Sequence, residues 1–157
     1  MNIYIKQATP KNALDLSIMT GKLLQEIMDK INRNVFNFNQ EETQKRAEEL
    51  ISKNLYFAFI AYDNHHPIGF ISLYESYALY SEGAYGTIPE LYVKPEYRSL
   101  KIGQQLIEAA KKFAILKHWK RVEVTTPPLP QFDRTLLFYE KNGFEISGGR
   151  KLKITFE

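Results

Sequence analysis

Glu90-Leu91-Tyr92-Val93-Lys94-Pro95-Glu96-Tyr97-Arg98-Ser99-Leu100-Lys101-Ile102-Gly103-Gln104-Gln105-Leu106 is the stretch from which the rest of the chain is best read. An apolar run ends at a proline, a short basic turn follows, and a helical pattern begins at once. Ile102, Leu106, Ile107, Ala110, Phe113 and Ala114 recur on one side at helical spacing. Lys101, Gln104, Gln105, Glu108, Lys111 and Lys112 fill the other side, so the spacing predicts an amphipathic helix. A helix start presents unpaired N–H groups and a partial positive charge, which suits an anion such as a pyrophosphate. Arg98 and Lys101 add cationic charge at the same place. The same features also describe a plain strand–turn–helix connection with solvated basic residues. Neither G-x-G-x-x-G nor G-x-x-x-x-G-K-S/T occurs here, so the dinucleotide and P-loop fingerprints are missing.

Upstream, Asn2 to Lys6 alternates as a short strand with one buried face. Thr9-Pro10 announces a helix, with Thr9 as cap and proline at the first helical position. Leu14, Ile18, Leu23, Leu24 and Ile27 form its apolar stripe, and Gly21 is expected to divide it. Asn39 with Glu42 three residues on is a capping-box pattern opening a second helix, whose buried side is Ala47, Leu50 and Ile51. Leu55 to Tyr62 is almost wholly apolar, as in a strand covered on both faces. Asp63 to Pro67 reads as a turn, and Ile68 to Tyr74 returns as the second arm of an antiparallel hairpin. Tyr77 to Gly86 reads as a loop and Ile88 to Val93 as the next strand.

Downstream, Arg121 to Thr125 is a strand, followed by the loop Pro127-Pro128-Leu129-Pro130. Asp133 is expected to cap a short helix through Glu140 that stops at Asn142-Gly143. Phe144 to Ile146 and Lys151 to Phe156 read as closing strands. The strands on either side of the long helix need a crossover, hence a parallel pair inside an otherwise antiparallel sheet. The plan is α+β, one domain over residues 1–157.

The composition narrows the function. With 44% hydrophobic and 25% charged residues the chain is globular. It has no cysteine, which removes disulfides, thiolate zinc sites, iron–sulfur clusters and a cysteine nucleophile. Lys and Arg number 21 against 18 Asp and Glu, a net charge of +3. So small and scattered an excess points to no nucleic-acid partner. No apolar run approaches the ~20 residues of a membrane span, so no membrane association is expected and the expected location is cytoplasmic. His65-His66 point apart in a turn, and no metal is expected. His118 reads as a helix-end residue.

Two motifs carry a resemblance. Val93-Lys94-Pro95-Glu96-Tyr97-Arg98-Ser99-Leu100-Lys101-Ile102-Gly103 resembles the V-x-P-x-x-R/Q-x-x-G-x-G/A acetyl-coenzyme A motif of the GNAT superfamily of N-acetyltransferases. Phe138-Tyr139-Glu140-Lys141-Asn142-Gly143-Phe144 is similar to that family's second signature, at the family's spacing. The resemblance implies a mixed, mostly antiparallel sheet with a parallel central pair splayed around the acyl-CoA site and helices on both faces. It implies direct transfer of the acetyl group of acetyl-CoA to a primary amine of a small molecule or peptide, through a ternary complex and without metal. The alternative is a non-catalytic acyl-CoA-binding or regulatory module of the same fold, and a homodimer is compatible with either.

Carried over residue by residue, the resemblance has Leu91, Tyr92 and Val93 pairing their backbone with the pantetheine amides. Arg98, Ser99, Leu100, Lys101, Ile102 and Gly103 surround the pyrophosphate, with Gln104 at the helix start. Tyr139 matches the tyrosine that protonates the departing thiolate, and Glu90 stands where relatives often have an acidic base or amine-orienting group. From the residues alone, a solvent or structural carboxylate is the stronger reading of Glu90. Two positions depart from the pattern: Lys101 replaces the first glycine of the loop, and Phe132 stands about where many relatives carry an asparagine. Tyr74, Tyr77, Tyr80 and Tyr85 with Glu75 and Glu82 form either an amine pocket or a hairpin surface, with Phe36 and Phe38 as candidates to close it.

Overall fold

The computed structural model describes residues 1–157. Thr9 caps a 3-10 turn over Pro10–Asn12, reciprocated by the Asn12 side chain, and this turn leads into α1 (Ala13–Ile31). After α2 (Gln40–Ser52), whose first turn is capped by Asn39 Oδ1 on the Glu42 N–H at 2.9 Å, the chain enters the sheet. β1 (Ile3–Gln7) pairs with β2 (Phe57–Asp63), and β2 pairs with β3 (His66–Ala78) in an antiparallel hairpin.

β3 is the spine, because its two halves have different partners. Its second half pairs with β4 (Gly83–Ile88), with Tyr74 opposite Thr87. Its first half pairs with β5 (Leu91–Val93), with Gly69 opposite Val93. The single strand expected over Ile88 to Val93 is therefore two pieces, broken at Pro89-Glu90. Proline has no N–H for a ladder, so a sheet tolerates it at such a break. β6 (Val122–Val124) lies parallel to β4, from Gly86 opposite Val122 to Ile88 opposite Val124. The ladder stops there. β5 has β3 on one side and no strand on the other, so the sheet splits where β4 ends.

Period-two alternation assigns the faces. Ala58, Ile60, Phe70 and Tyr92 face α1 and pack on Leu16 and Met19. Ala61, Ile71 and Leu73 face the opposite way, onto Ile102, Leu106, Ile107 and Ala110 of α3 (Ile102–Leu116). Tyr139 of α4 (Asp133–Lys141) joins this second cluster. Full burial of Leu106 and of Ile107 stabilises by roughly 1.5–3 kcal/mol each. That outweighs the ~1–2 kcal/mol cost of the left-handed residue, Lys101, that opens the helix.

Four further expectations are corrected. Gly21 does not divide α1; it clears space, since a Cβ there would stand 2.6 Å from Cε2 of Phe38. Tyr77 to Gly86 is not a loop: β3 runs on to Ala78, and a 3-10 turn at Leu79–Ser81 returns it into β4. Asp133 is the first residue of α4, not its cap, and Phe132 precedes it without a side-chain cap bond. The closing strands do not form, so residues 144–157 add no strand beyond β6, and Leu152, Ile154 and Phe156 lie exposed. Alternation makes Lys151 to Phe156 competent for pairing, but competence needs a partner edge.

Candidate active site

Glu90 occupies the break between β4 and β5. Its Oε1 accepts from the Tyr56 hydroxyl at 2.6 Å and from Ser72 Oγ at 2.6 Å. Ser72 Oγ also accepts from the Glu90 N–H at 3.1 Å, and Ser72 N–H donates to the Glu90 carbonyl at 3.0 Å. Ser72 is wholly buried on the same face as Phe70. The carboxylate is thus held by one oxygen, and Oε2 is left open. Burial first, and then the charge of Glu90, push the Tyr56 phenol well above its usual range, so Tyr56 stays a donor at any ordinary pH.

Glu90 and Tyr56 line a cavity of about 270 Å³ beneath α1 and α2. Leu16, Leu24, Phe38 and Leu50 supply apolar wall, and Glu42 and Arg46 of α2 are its other charged residues. Of the two aromatics expected to close an amine pocket, Phe38 lines this cavity, whereas Phe36 does not. The tyrosine-rich hairpin is no part of it. Glu75 there accepts from the Tyr77 hydroxyl and from Trp119 Nε1 at 2.7 Å, and these two bonds, Tyr77's first, hold its carboxyl below the usual range. The rings of Tyr80 and Tyr85 stand against the Arg121 guanidinium, with centroids at 5.2 and 4.5 Å.

The outer edge of β5 faces the split in the sheet. Ser72 N–H bonds to Glu90 O at 3.0 Å and Lys94 N–H to Ile68 O at 2.8 Å. In an antiparallel ladder this puts Tyr92 in phase toward β3 and turns the backbone groups of Leu91 and Val93 outward. Of the three residues expected to meet pantetheine amides, two therefore offer open backbone. The Val93 carbonyl already accepts from Arg98 Nε at 2.9 Å.

The loop from Arg98 to Lys101 makes two left-handed steps, Ser99 at φ 68° and Lys101 at φ 63°. Lys101 is the residue before α3, and neither a capping side chain nor an acidic residue occupies the first turn. The N–H groups of Ile102, Gly103 and Gln104 are thus open donors at the positive end of a 15-residue helix. Gly103 is needed for packing: a Cβ there would come 3.0 Å from Cζ of Phe138. Arg98 is committed elsewhere, since its guanidinium forks onto Glu26 of α1 at 2.9 and 2.6 Å. That bond raises its pKa further, and the pair ties the loop to α1.

Tyr139 is 5% exposed, between the rings of Phe138 and Phe144 at 5.5 and 5.3 Å. Burial alone drives its phenol well above the ordinary value, with no hydrogen bond contributing. Phe132, expected about where many relatives carry an asparagine, is buried with Lys30 Nζ 4.6 Å from its ring centroid. No group of three or more His, Asp or Glu side chains is placed to hold a metal ion, and no helix is long and apolar enough to cross a membrane. Tyr56, Ser72, Arg46 and Glu26 escape the sequence reading. Only Ser72 leaves a trace there, as a lone hydroxyl inside the apolar run Ile68 to Leu73.

Comparison with known proteins agrees with this geometry. The family model described as an acetyltransferase (GNAT) domain matches residues 54–146. No curated protein matches the sequence. Among solved structures, an aminoglycoside acetyltransferase from an uncultured soil metagenomic sample, in complex with trehalose, is 20% identical with a TM-score of 0.77, covering 99% of this chain and 97% of that one. A ribosomal-protein-alanine N-acetyltransferase from Brucella melitensis is 18% identical with a TM-score of 0.73, covering 99% and 100%. A predicted acetyltransferase from Clostridium acetobutylicum, solved with acetyl-CoA, is 16% identical with a TM-score of 0.78, covering 97% and 96%. At such identities these likenesses speak for the fold.

Proposed function

The chain belongs to the GNAT acetyltransferases, and from that premise we propose that it moves the acetyl group of acetyl-CoA directly onto a primary amine of a small molecule or peptide. The observation that carries this reading is Glu90: a carboxylate fixed through Oε1, with no hydrogen bond on Oε2, lining a cavity, one residue before the free edge of β5.

The thioester carrier fits the split in the sheet. The outward backbone of Leu91 and Val93 suits the amides of its pantetheine arm, as an added strand would. The uncapped first turn of α3 suits its diphosphate, with Ser99, Leu100, Lys101, Ile102, Gly103 and Gln104 around it and Arg98 holding the loop to α1. The carrier supplies an acetyl group on a sulfur leaving group. An alkyl ammonium, with a pKa of ~10.4, has to lose a proton before it can attack, and Oε2 of Glu90 receives that proton. The amine nitrogen then bonds to the thioester carbonyl carbon while the Val93 N–H stabilises the oxygen. The C–S bond breaks, Tyr139 gives its phenolic proton to the sulfur, and coenzyme A leaves as the thiol. The second proton of the attacking nitrogen is released to solvent, from which the Tyr139 phenolate is reprotonated, leaving the neutral amide. Absence of any cysteine favours one ternary complex over an acyl-enzyme. The test is a panel of amines with acetyl-CoA, monitored for free thiol. Release that saturates with amine is expected. No release with any amine, together with no saturable heat of coenzyme A binding, overturns the reading.

A further inference from the structure

One cation on the wall of the acceptor cavity, exposed Arg46, has no ion-pair partner in the chain. Arg46 of α2 lines the same space as Glu90. The ion pairs of the chain join Lys45 to Glu41, Lys53 to Glu49, Arg98 to Glu26, Lys111 to Glu108 and Arg121 to Glu123, and Arg46 is in none. Glu42 lies four residues before it on the same helix, the order that favours pairing, yet the two form no ion pair. The Glu42 carboxylate instead occupies the first turn of α2, where the positive end of the helix stabilises it. The cavity is therefore lined by Glu90, whose Oε2 accepts no hydrogen bond, by Arg46, which is in no ion pair, by Glu42, and by the apolar side chains of Leu16, Leu24, Phe38 and Leu50.

We propose that the acceptor is a small amino carboxylate, its amine taken by Glu90 Oε2 and its carboxylate by Arg46. The amine half rests on the transfer reading above; the carboxylate half rests on Arg46 alone. A guanidinium fork matches a carboxylate in two parallel hydrogen bonds. It repels a second ammonium, which sets the amino carboxylate above a diamine, with Glu42 of the same wall the one group opposing that preference. The size agrees: about 270 Å³ lies just below the ~300–1,000 Å³ of ligand pockets, which suits an acceptor as small as an amino acid.

The test compares leucine with leucinamide and 4-aminobutanoate with 1,4-diaminobutane as acceptors, in the unaltered protein, Arg46→Ala and Arg46→Lys. The unaltered protein is expected to prefer the carboxylate member of each pair by about ten- to a hundred-fold in kcat/KM, the worth of a charged hydrogen-bonded pair. Arg46→Ala brings that ratio close to one by raising KM for the carboxylate acceptor, and Arg46→Lys falls between. Comparing variants cancels the different basicities of the amines. Equal use of amide or diamine by the unaltered protein, or a preference that survives Arg46→Ala, overturns the proposal and leaves acetyl transfer standing. If no acceptor releases thiol, calorimetry with leucine and with 4-aminobutanoate decides. Saturable binding lost in Arg46→Ala sustains the carboxylate site while ending the transfer reading, and no binding ends both.

Discussion

Gly103 and Phe138 meet so closely that a Cβ on the glycine would stand 3.0 Å from Cζ and 3.2 Å from Cε1 of the ring. Each residue belongs to one of the two motifs, so this contact is where the motifs become a single site: it sets how α4, and with it Tyr139, sits against the start of α3. Gly103→Ala adds a methyl to a filled space at ~1–3 kcal/mol and recovers ~1 kcal/mol of helix propensity. A small net destabilisation is expected. In a Phe138→Ala background the same change stabilises, giving a coupling energy of about 0.5–3 kcal/mol in urea denaturation. Additivity within a few tenths of a kcal/mol shows the contact to be slack.

The parts legible in sequence are those where local chemistry and tertiary fold agree. The Asn39 cap, the α3 stripe and the parallel crossover are of this kind, as is the basic turn at a helix start. Pairing choices were not legible. Nothing local says that β3 runs on to Ala78 and exchanges one partner for another, which is how Glu90 comes to stand in a gap. The fate of Arg98 was equally hidden, because Glu26, 72 residues away, captures it. Gly21 misleads for the same reason: its flexibility is local, but its use is the ring of Phe38.

Tyr139→Phe separates chemistry from folding. Its hydroxyl adds no hydrogen bond to the fold, so the midpoint of thermal unfolding is expected to stay within a degree or two of the parent's at neutral pH, while kcat falls by roughly a hundred-fold or more. The alkaline side gives a sign. Burial raises the folded phenol above its ordinary value, whereas the unfolded chain releases that proton near pH ~10. Stability therefore declines as pH rises beyond ~10 toward the folded pKa, the unfolded state binding fewer protons. Tyr139→Phe makes that decline shallower without abolishing it, since Tyr56 contributes in the same direction. Unchanged turnover at neutral pH discards Tyr139 as the acid.

Lys101 stands left-handed, φ 63° and ψ 19°, where the family pattern has glycine. Lys101→Gly relieves ~1 kcal/mol or more of backbone strain and restores part of it as unfolded-state freedom. A gain of a few tenths to ~1 kcal/mol is expected, read from the urea midpoint. Lys101→Ala keeps the strain and loses only the ammonium. If that ammonium meets the diphosphate, both variants bind coenzyme A several-fold more weakly at low salt and converge on the parent as salt rises. Calorimetry at two ionic strengths reads this, and equal affinities at low salt remove the side chain from the site.

Glu90 is anchored at one oxygen by two donors, and that arrangement divides its partners from the group itself. Glu90→Gln keeps the shape and an acceptor oxygen but takes no proton from an ammonium. It is expected to lower kcat by ~100-fold or more and to flatten the acid limb of the pH–rate profile. Tyr56→Phe removes only the 2.6 Å bond to Oε1 and leaves Ser72 in place. The carboxylate then gains rotational freedom, so kcat falls by about ten-fold through misplacement while the acid limb persists. An acid limb that survives in Glu90→Gln assigns the proton to another group. A flattened limb in Tyr56→Phe as well makes the phenol part of the proton path instead of its support.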